Sequence, residues 1–217
     1  MTAIRSWVGL RIVVSAGPTF EDIDPVRFIG NRSSGKMGFA IAAAAARRGA
    51  SVVLVAGPVA LPTPPGCTRV DVRSAADMHA SVFDALPCDV YVGAAAVADY
   101  TPAEVAPCKI KKADGDMTLV LRRTRDILAE LGVDARRPRV LVGFAAETND
   151  VETYARGKLV RKKLDLIAAN RVGLAGSGFE CDDNTLQVIG AEDAQVLGPA
   201  PKVDLAEALL DLISARL

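Results

Sequence analysis

Histidine is nearly missing from this chain: His79 is the only one in 217 residues. Acid–base or charge-stabilising work therefore falls to lysine, aspartate, glutamate, asparagine or the backbone. His79 lies in an amphipathic pattern from Ala75 to Leu86 and reads as a helix-surface residue. Cysteine is scarce and scattered, at Cys67, Cys88, Cys108 and Cys181. With no C-x-x-C pair, a zinc site or a disulfide framework is not indicated. Neither sign of charge is in excess, since 26 basic residues balance 26 acidic ones. Nothing here marks a nucleic-acid or membrane-surface binder. The longest apolar runs reach roughly ten residues, about half of a bilayer span. The opening Met1-Thr2-Ala3-Ile4-Arg5 lacks the charged start, apolar run and cleavage site of a signal peptide. Those two absences give the expectation of a cytoplasmic protein.

What is present is an ordinary globular composition, 50% hydrophobic and 24% charged, enough for one sizeable core. With no repeat, low-complexity tail or evident linker, a single domain over residues 1–217 is expected. Apolar β-branched runs alternate with helical patterns, the signal of a parallel sheet with crossover helices. Strands are expected at 11–15, 51–56, 68–72, 89–96, 140–144 and 165–170. Helices are expected at 35–48, from a Ser74 cap to about Leu86, at 150–163 and at 202–217. Gln187-Val188-Ile189 and Gln195-Val196-Leu197 read as a late hairpin. The fold class is thus α/β: a Rossmann-like, mostly parallel sheet with helices on both faces, a late β-hairpin and a lysine-bearing segment.

The most informative stretch is Gly30-Asn31-Arg32-Ser33-Ser34-Gly35-Lys36-Met37-Gly38, which leads into the first helix. Its glycines permit tight turning and close approach, and Ser33 or Ser34 can cap the helix. Free N–H groups and the helix dipole favour an anion there, with Asn31, Arg32 and Lys36 beside it. The phosphate-loop pattern G-x-x-x-x-G-K-[ST] fails at Met37, which has no hydroxyl for magnesium. The dinucleotide pattern G-x-G-x-x-G fails as well, because only the spacing from Gly35 to Gly38 is present.

Further candidates fall at strand ends. The small residues Ala94, Ala95 and Ala96 leave room for a ligand. Asp99 follows, suited to a ribose hydroxyl, to magnesium or simply to a turn cap. Lys109 and Lys111 share one face if their segment is extended, as a ligand-facing pair or as an edge that resists aggregation. Phe144 can stack on a planar base or belong to the core. Lys158 and Lys162, four apart, share a helix face that suits a polyphosphate or plain solvent. Together they outline a nucleoside-triphosphate site assembled without a P-loop.

The segments Pro25–Gly38, Ala94–Asp99, Lys109–Lys112 and Gly143–Thr148 together resemble the bacterial phosphopantothenoylcysteine synthetases, the phosphopantothenate–cysteine ligases of coenzyme A biosynthesis. The resemblance covers essentially the whole chain. It implies that a 4′-phosphopantothenate carboxylate attacks the α-phosphate of CTP with Mg²⁺ assistance and releases pyrophosphate. The amine of L-cysteine then expels CMP from the acyl-cytidylate. It assigns Asn31 to the acyl intermediate and Lys109 to the nucleotide. It also assigns Ala95, Asp99, Phe144, Lys158, Lys162 and the turn Arg125-Asp126-Ile127-Leu128 to nucleotide binding. Gly30 through Lys36 becomes the substrate-anion loop, and Mg²⁺ is expected on the nucleotide phosphates. Where many bacterial members have Asn-Pro-Asp-Ile, this chain has Thr124-Arg125-Asp126-Ile127. A homodimer is implied, with the lysine segment as a flap, as is fusion to or association with a flavin-dependent decarboxylase. The rival readings are an NAD(P)-dependent oxidoreductase and a non-catalytic nucleotide-binding module.

Overall fold

The computed structural model describes residues 6–112, 114–147, 150–171 and 183–217. The first strands are β1 (Arg11–Ala16), β2 (Phe20–Asp22) and β3 (Phe28–Gly30), followed by helix α1 (Lys36–Arg47). Next come β4 (Ser51–Ala56), β5 (Cys67–Asp71), α2 (Ala75–Asp84), β6 (Val90–Gly93), β7 (Tyr100–Pro102) and β8 (Leu121–Arg123). Then follow α3 (Ile127–Leu131), β9 (Val140–Glu147), α4 (Val151–Arg161) and β10 (Leu166–Arg171). The chain closes with β11 (Asp183–Ile189), β12 (Ala194–Pro201) and α5 (Lys202–Ser214).

Eight strands form the central sheet in the order β12-β11-β10-β9-β6-β1-β4-β5. From β5 through β10 neighbouring strands are parallel, and β11 and β12 add the antiparallel hairpin. The fold class read from the sequence is therefore the observed one. Side chains alternate across β1: Ile12, Val14 and Ala16 face a layer with α1 and α5, whereas Val13 faces the layer of α2, α3 and α4. After β1 the chain winds outward to β4 and β5, then returns to β6 on the other flank of β1. This reversal opens a crevice at the carboxyl ends of β1 and β6, where open α/β sheets bind ligands.

Helix α1 lies close on the sheet because its packed face is small. Ala42, Ala44 and Ala45 are wholly buried, and a Cβ on Gly38 would lie 2.5 Å from the Ala16 Cβ. The buried Arg48 pairs with Glu207 at 2.8 Å and Asp211 at 2.9 Å, fastening the end of α1 to α5. Among the described residues no helix is long and apolar enough to cross a membrane.

Three sequence expectations need correction. The position before α1 is Gly35, in the left-handed region at φ 75°, with no side-chain cap hydrogen bond. Ser33 Oγ instead accepts from Gly35 N at 3.4 Å, so the N-cap position is held by a glycine and by neither serine. His79 is not a surface residue. It is 6% exposed, hydrogen-bonded to Glu130 Oε2 at 3.0 Å and stacked on Phe83. The helical pattern identified its helix correctly but could not show that α3 packs over that face. Residues 109–112 are in no strand; they lie in the long connection between β7 and β8, which pair as a short antiparallel arm.

A second arm, β2 paired with β3, had no signal in the sequence because three-residue strands carry too little alternation to read. Its turn encloses the Asp24 carboxylate, whose side chain is 0% exposed. That carboxylate accepts from the backbone N–H groups of Val26 (2.8 Å), Arg27 (2.9 Å) and Ile110 (3.1 Å), and from Arg27 Nη2 at 2.6 Å. Arg27 Nη2 also donates to the Ile110 carbonyl at 2.7 Å. The lysine segment is thus latched at Ile110, between Lys109 and Lys111. The Arg27 guanidinium and three backbone donors hold the Asp24 carboxyl well below the usual carboxylate range.

That depression sets a pH dependence. Above the ordinary aspartate value near ~3.9 the latch is fully ionised and its contribution is fully present. As pH falls below that value toward the lowered folded one, the released form takes up protons preferentially and the contribution is lost. Asp24→Asn at neutral pH is expected to speed tryptic cleavage after Lys109, Lys111 or Lys112 by about 10-fold, the scale of one charge-assisted hydrogen bond. Unchanged cleavage would show that Ile110 is held by other contacts.

Candidate functional site

The cleft at the β1–β6 reversal has a volume of about 380 Å³. Its floor is Ser15, the penultimate residue of β1, whose hydroxyl lies 2.9 Å from the Tyr91 hydroxyl. Both residues are buried, and burial pushes the Tyr91 phenol above its ordinary range, so it stays neutral. One wall is the run after β6. Ala94 N donates to Ser15 O at 3.0 Å and Ala96 N to Gly17 O at 2.9 Å, which extends the sheet register past the strand end. The Ala96 carbonyl accepts from Thr19 N at 3.2 Å and from Asn31 Nδ2 at 3.0 Å. Asn31 is therefore fixed across the mouth, with its amide oxygen left to meet a ligand donor.

The start of α1 forms the facing wall. Ser33, Ser34, Gly35, Lys36 and Asn31 all line the cleft, whereas Gly30 and Arg32 do not. Gly30 ends β3, and a Cβ there would meet the Phe20 ring at 2.6 Å, so its absent side chain serves the arm's packing. Further round, Ala95, Asp99, Arg125, Asp126, Ile127, Leu128, Phe144, Lys158 and Lys162 also line the cleft. Asp126 caps α3 by accepting from Ala129 N at 3.1 Å, and its other oxygen pairs with Lys162 Nζ at 2.9 Å. Arg125 is turned toward Glu130 in a two-point ion pair, and it holds that carboxyl below its usual range with help from His79. Thr124 donates to the Ala98 carbonyl at 2.6 Å, tying this turn to the run that carries Asp99.

Lys109 is the outlier. It is exposed on the latched segment and is not part of the cleft lining. Conversely, Ser15, Tyr91, Asn170, Asn184 and Lys202 line the cleft without having been singled out by sequence. Each sits inside an ordinary strand or helix pattern, and only the strand order brings them to one edge. Among the described residues, five cationic side chains (Lys36, Arg125, Lys158, Lys162, Lys202) and two acidic ones (Asp99, Asp126) line this cleft, although the chain as a whole is neutral. The described thiols take no part in the lining: Cys67, Cys88 and Cys108 are free, and burial pushes Cys88 up to about 12. Cys181, and Thr148 and Asn149 beyond β9, lie outside the described residues.

The strand order, the reversal-point cleft and the helix start facing it define an open Rossmann-like α/β domain with a cleft at its carboxyl edge, the place where such folds bind ligands. Residues 7–217 match the family described as the DNA/pantothenate metabolism flavoprotein C-terminal domain, and the chain belongs to that family. It is similar to the coenzyme A biosynthesis bifunctional protein CoaBC of Vibrio cholerae, 49% identical over 213 residues, 97% of this chain and 53% of that protein. The Escherichia coli protein of the same name is 51% identical over 211 residues, 95% of this chain and 52% of that protein. The chain thus spans about half the length of the curated relatives it matches. A crystal structure of a C-terminal domain of CoaBC superposes with TM-score 0.80 at 40% identity, covering 95% of this chain and 94% of that one. A DNA/pantothenate metabolism flavoprotein from Streptococcus pneumoniae gives TM-score 0.81 at 25% identity, covering 96% and 100%.

Proposed function

We propose that residues 1–217 act as one phosphopantothenate–cysteine ligase unit. It joins 4′-phosphopantothenate to L-cysteine at the expense of CTP, giving 4′-phosphopantothenoyl-L-cysteine, CMP and pyrophosphate. The observation that carries this reading is the cleft at the strand-order reversal, lined among the described residues by the start of α1, Asp99, Phe144, Lys158 and Lys162, in a chain half as long as relatives named for coenzyme A biosynthesis. In the first step the substrate carboxylate oxygen bonds the α-phosphorus and the bond to pyrophosphate breaks. In the second, the cysteine amine bonds the acyl carbon, CMP leaves and the amine loses a proton.

The cleft residues fit these charges. The N–H groups at the start of α1 and Lys36 suit a phosphate, and Lys158 and Lys162 add positive charge across from them. Phe144 offers a face for the base, and Asp99 suits the ribose. Mg²⁺ would arrive on the phosphates and neutralise part of their charge, with Asp99 the cleft carboxylate able to add a ligand. Asn31, already fixed by Ala96, is placed to donate to or accept from the acyl phosphate. Lys109 reaches the nucleotide only if its segment swings inward from the Ile110 latch, and its ammonium would then offset charge as pyrophosphate departs.

A homodimer is supported by apolar side chains exposed on the two arms, Val26 at 58%, Phe28 at 45%, Tyr100 at 47% and Val120 at 72%. The fused or associated flavin-dependent decarboxylase and a cytoplasmic location belong to the same reading. The oxidoreductase alternative lacks its ribose-binding acid. The second strand of the winding ends at the wholly buried Ala56, and a Cβ on Gly57 would strike Pro18 O at 1.7 Å.

Mass spectrometry tests the proposal with 4′-phosphopantothenate, Mg²⁺ and CTP or ATP, first without and then with L-cysteine. A phosphopantothenoyl-nucleotide and pyrophosphate are expected before cysteine, and the amide and nucleoside monophosphate after it, with CTP preferred. No turnover with either nucleotide would leave a binding module instead.

A further inference from the structure

Two amides in the cleft wall have hydrogen-bonding capacity that the protein does not use. Asn170 and Asn184 are only 9% and 7% exposed, and both line the cleft. Asn184 Oδ1 accepts from Thr185 N at 2.9 Å. A backbone N–H can only donate, so that contact fixes which end of the amide is oxygen and turns Nδ2, with both its protons, the other way. Among the described residues nothing accepts from Asn184 Nδ2, and nothing bonds the Asn170 amide at either end. Neither amide is sealed in the interior, so the unused groups open onto the cleft. Buried polar groups ordinarily have a partner, and two without one in a single wall point to a partner brought by a ligand.

The strand pattern puts both on one face of the sheet. Ala168 pairs with Val188 across β10 and β11, and both belong to the layer covered by α1 and α5. By alternation Asn170 falls on that face two residues on, and Asn184 joins Leu186 and Val188 there. One step beyond the Ala169–Gln187 pair, the antiparallel register sets Asn170 beside the buried Leu186, with Asn184 two residues further along β11. Helix α1, whose start lines the cleft, packs on this same face. Ala95, Ile127 and Leu128 belong instead to the layer of α2, α3 and α4, with Lys158 in α4 and Lys162 at its end. The cleft thus straddles the sheet edge, with the two lysines on one side and the α1 start with two neutral amides on the other. Among the nucleotide candidates Phe144 packs on the amide side, so two ligands would adjoin there, as reactants must.

We propose that Asn170 and Asn184 bind the uncharged chain of 4′-phosphopantothenate, through its amide and hydroxyl groups, while its phosphate lies at the start of α1. Neutral amides flanking a leucine suit a chain that carries polar groups and methyl groups but no charge between its two ends. The proposal rests on the ligase reading given above and adds to it the residues that select the acid to be activated.

Calorimetric titration of the full chain with 4′-phosphopantothenate, inorganic phosphate and CTP tests it. Asn170→Ala removes an amide that the protein does not bond, so Tm is expected to hold within about 2 °C. The same change is expected to weaken 4′-phosphopantothenate by about 5- to 10-fold, the scale of one net hydrogen bond, and to leave inorganic phosphate and CTP unchanged. Asn184→Ala is expected to act in the same direction, which covers the case in which one of the two variants does not fold. Unchanged 4′-phosphopantothenate affinity in both folded variants would overturn the proposal. Weakening of CTP with 4′-phosphopantothenate unaffected would place the amides at the nucleotide and overturn it too. Equal weakening of inorganic phosphate would show that they act through the α1 start rather than on the chain. A parent that binds CTP but not 4′-phosphopantothenate, alone or with CMP present, would also overturn it. If the parent binds neither substrate, the ligase reading itself fails, a result distinct from any difference between parent and variant.

Discussion

Asn31→Asp is expected to leave the protein activating its substrate but failing to finish: acyl-cytidylate and pyrophosphate accumulate while amide formation falls about 10²- to 10³-fold. Asn31 Nδ2 donates to the Ala96 carbonyl at 3.0 Å, and a carboxylate oxygen there has no proton to give. The substituted side chain must turn away from Ala96, and its charge then faces the anion that the α1 start attracts. Asn31 is exposed, so stability should change by no more than about 0.5 kcal/mol and the effect should be confined to chemistry. Quenched-flow mass spectrometry of the intermediate, with and without cysteine, reads the two steps apart. Loss of pyrophosphate release with an intact second step would place Asn31 in activation and refute its assignment to the intermediate.

Gly38→Ala is expected to lower Tm and to weaken the anion site together. Replacing a helical glycine with alanine ordinarily gains about 1 kcal/mol. Here the new Cβ would sit 2.5 Å from the Ala16 Cβ and 3.2 Å from the Ala16 Cα, both on a wholly buried strand end that cannot rotate away. Overpacking of this kind costs about 1–3 kcal/mol, so the clash outweighs the propensity gain. In a chain of this length a net loss of about 1 kcal/mol lowers Tm by about 2–4 °C. The more telling loss is positional, because α1 must lift from β1 and carry Lys36 and the free N–H groups with it. A misplacement near 1 Å is worth about 10²-fold in rate. Thermal unfolding and turnover measured on one preparation check both parts, and an unchanged Tm would mean that α1 and β1 are less closely apposed than described.

Much of the frame was legible locally. Ser51–Ala56 reads as a buried strand from its β-branched run, and it is β4 to the residue. Ser74 reads as a cap, and it forms a full capping box with Asp77. The loop that lines one wall of the cleft was legible because glycine, asparagine and lysine stand before an alanine-rich helix within nine consecutive residues. The short arms were not, because three-residue strands have no period to detect, and the Asp24 latch joins residues 86 apart in sequence. His79 was misplaced for a related reason: an amphipathic pattern predicts a helix and its main buried face, not which neighbouring element covers the rest.

By itself the sequence determined the alternation of strands and helices and the glycine-rich loop that leads into α1. These are properties of composition and of near neighbours, governed by periodicity and backbone preference. Only the tertiary structure decided that Ser15, Tyr91, Asn170, Asn184 and Lys202 share one cleft with that loop. Their convergence follows from strand order and from a winding direction that reverses at β1. A site built at such a reversal draws each wall from a different part of the chain, so its charge and shape exist only once the sheet has closed.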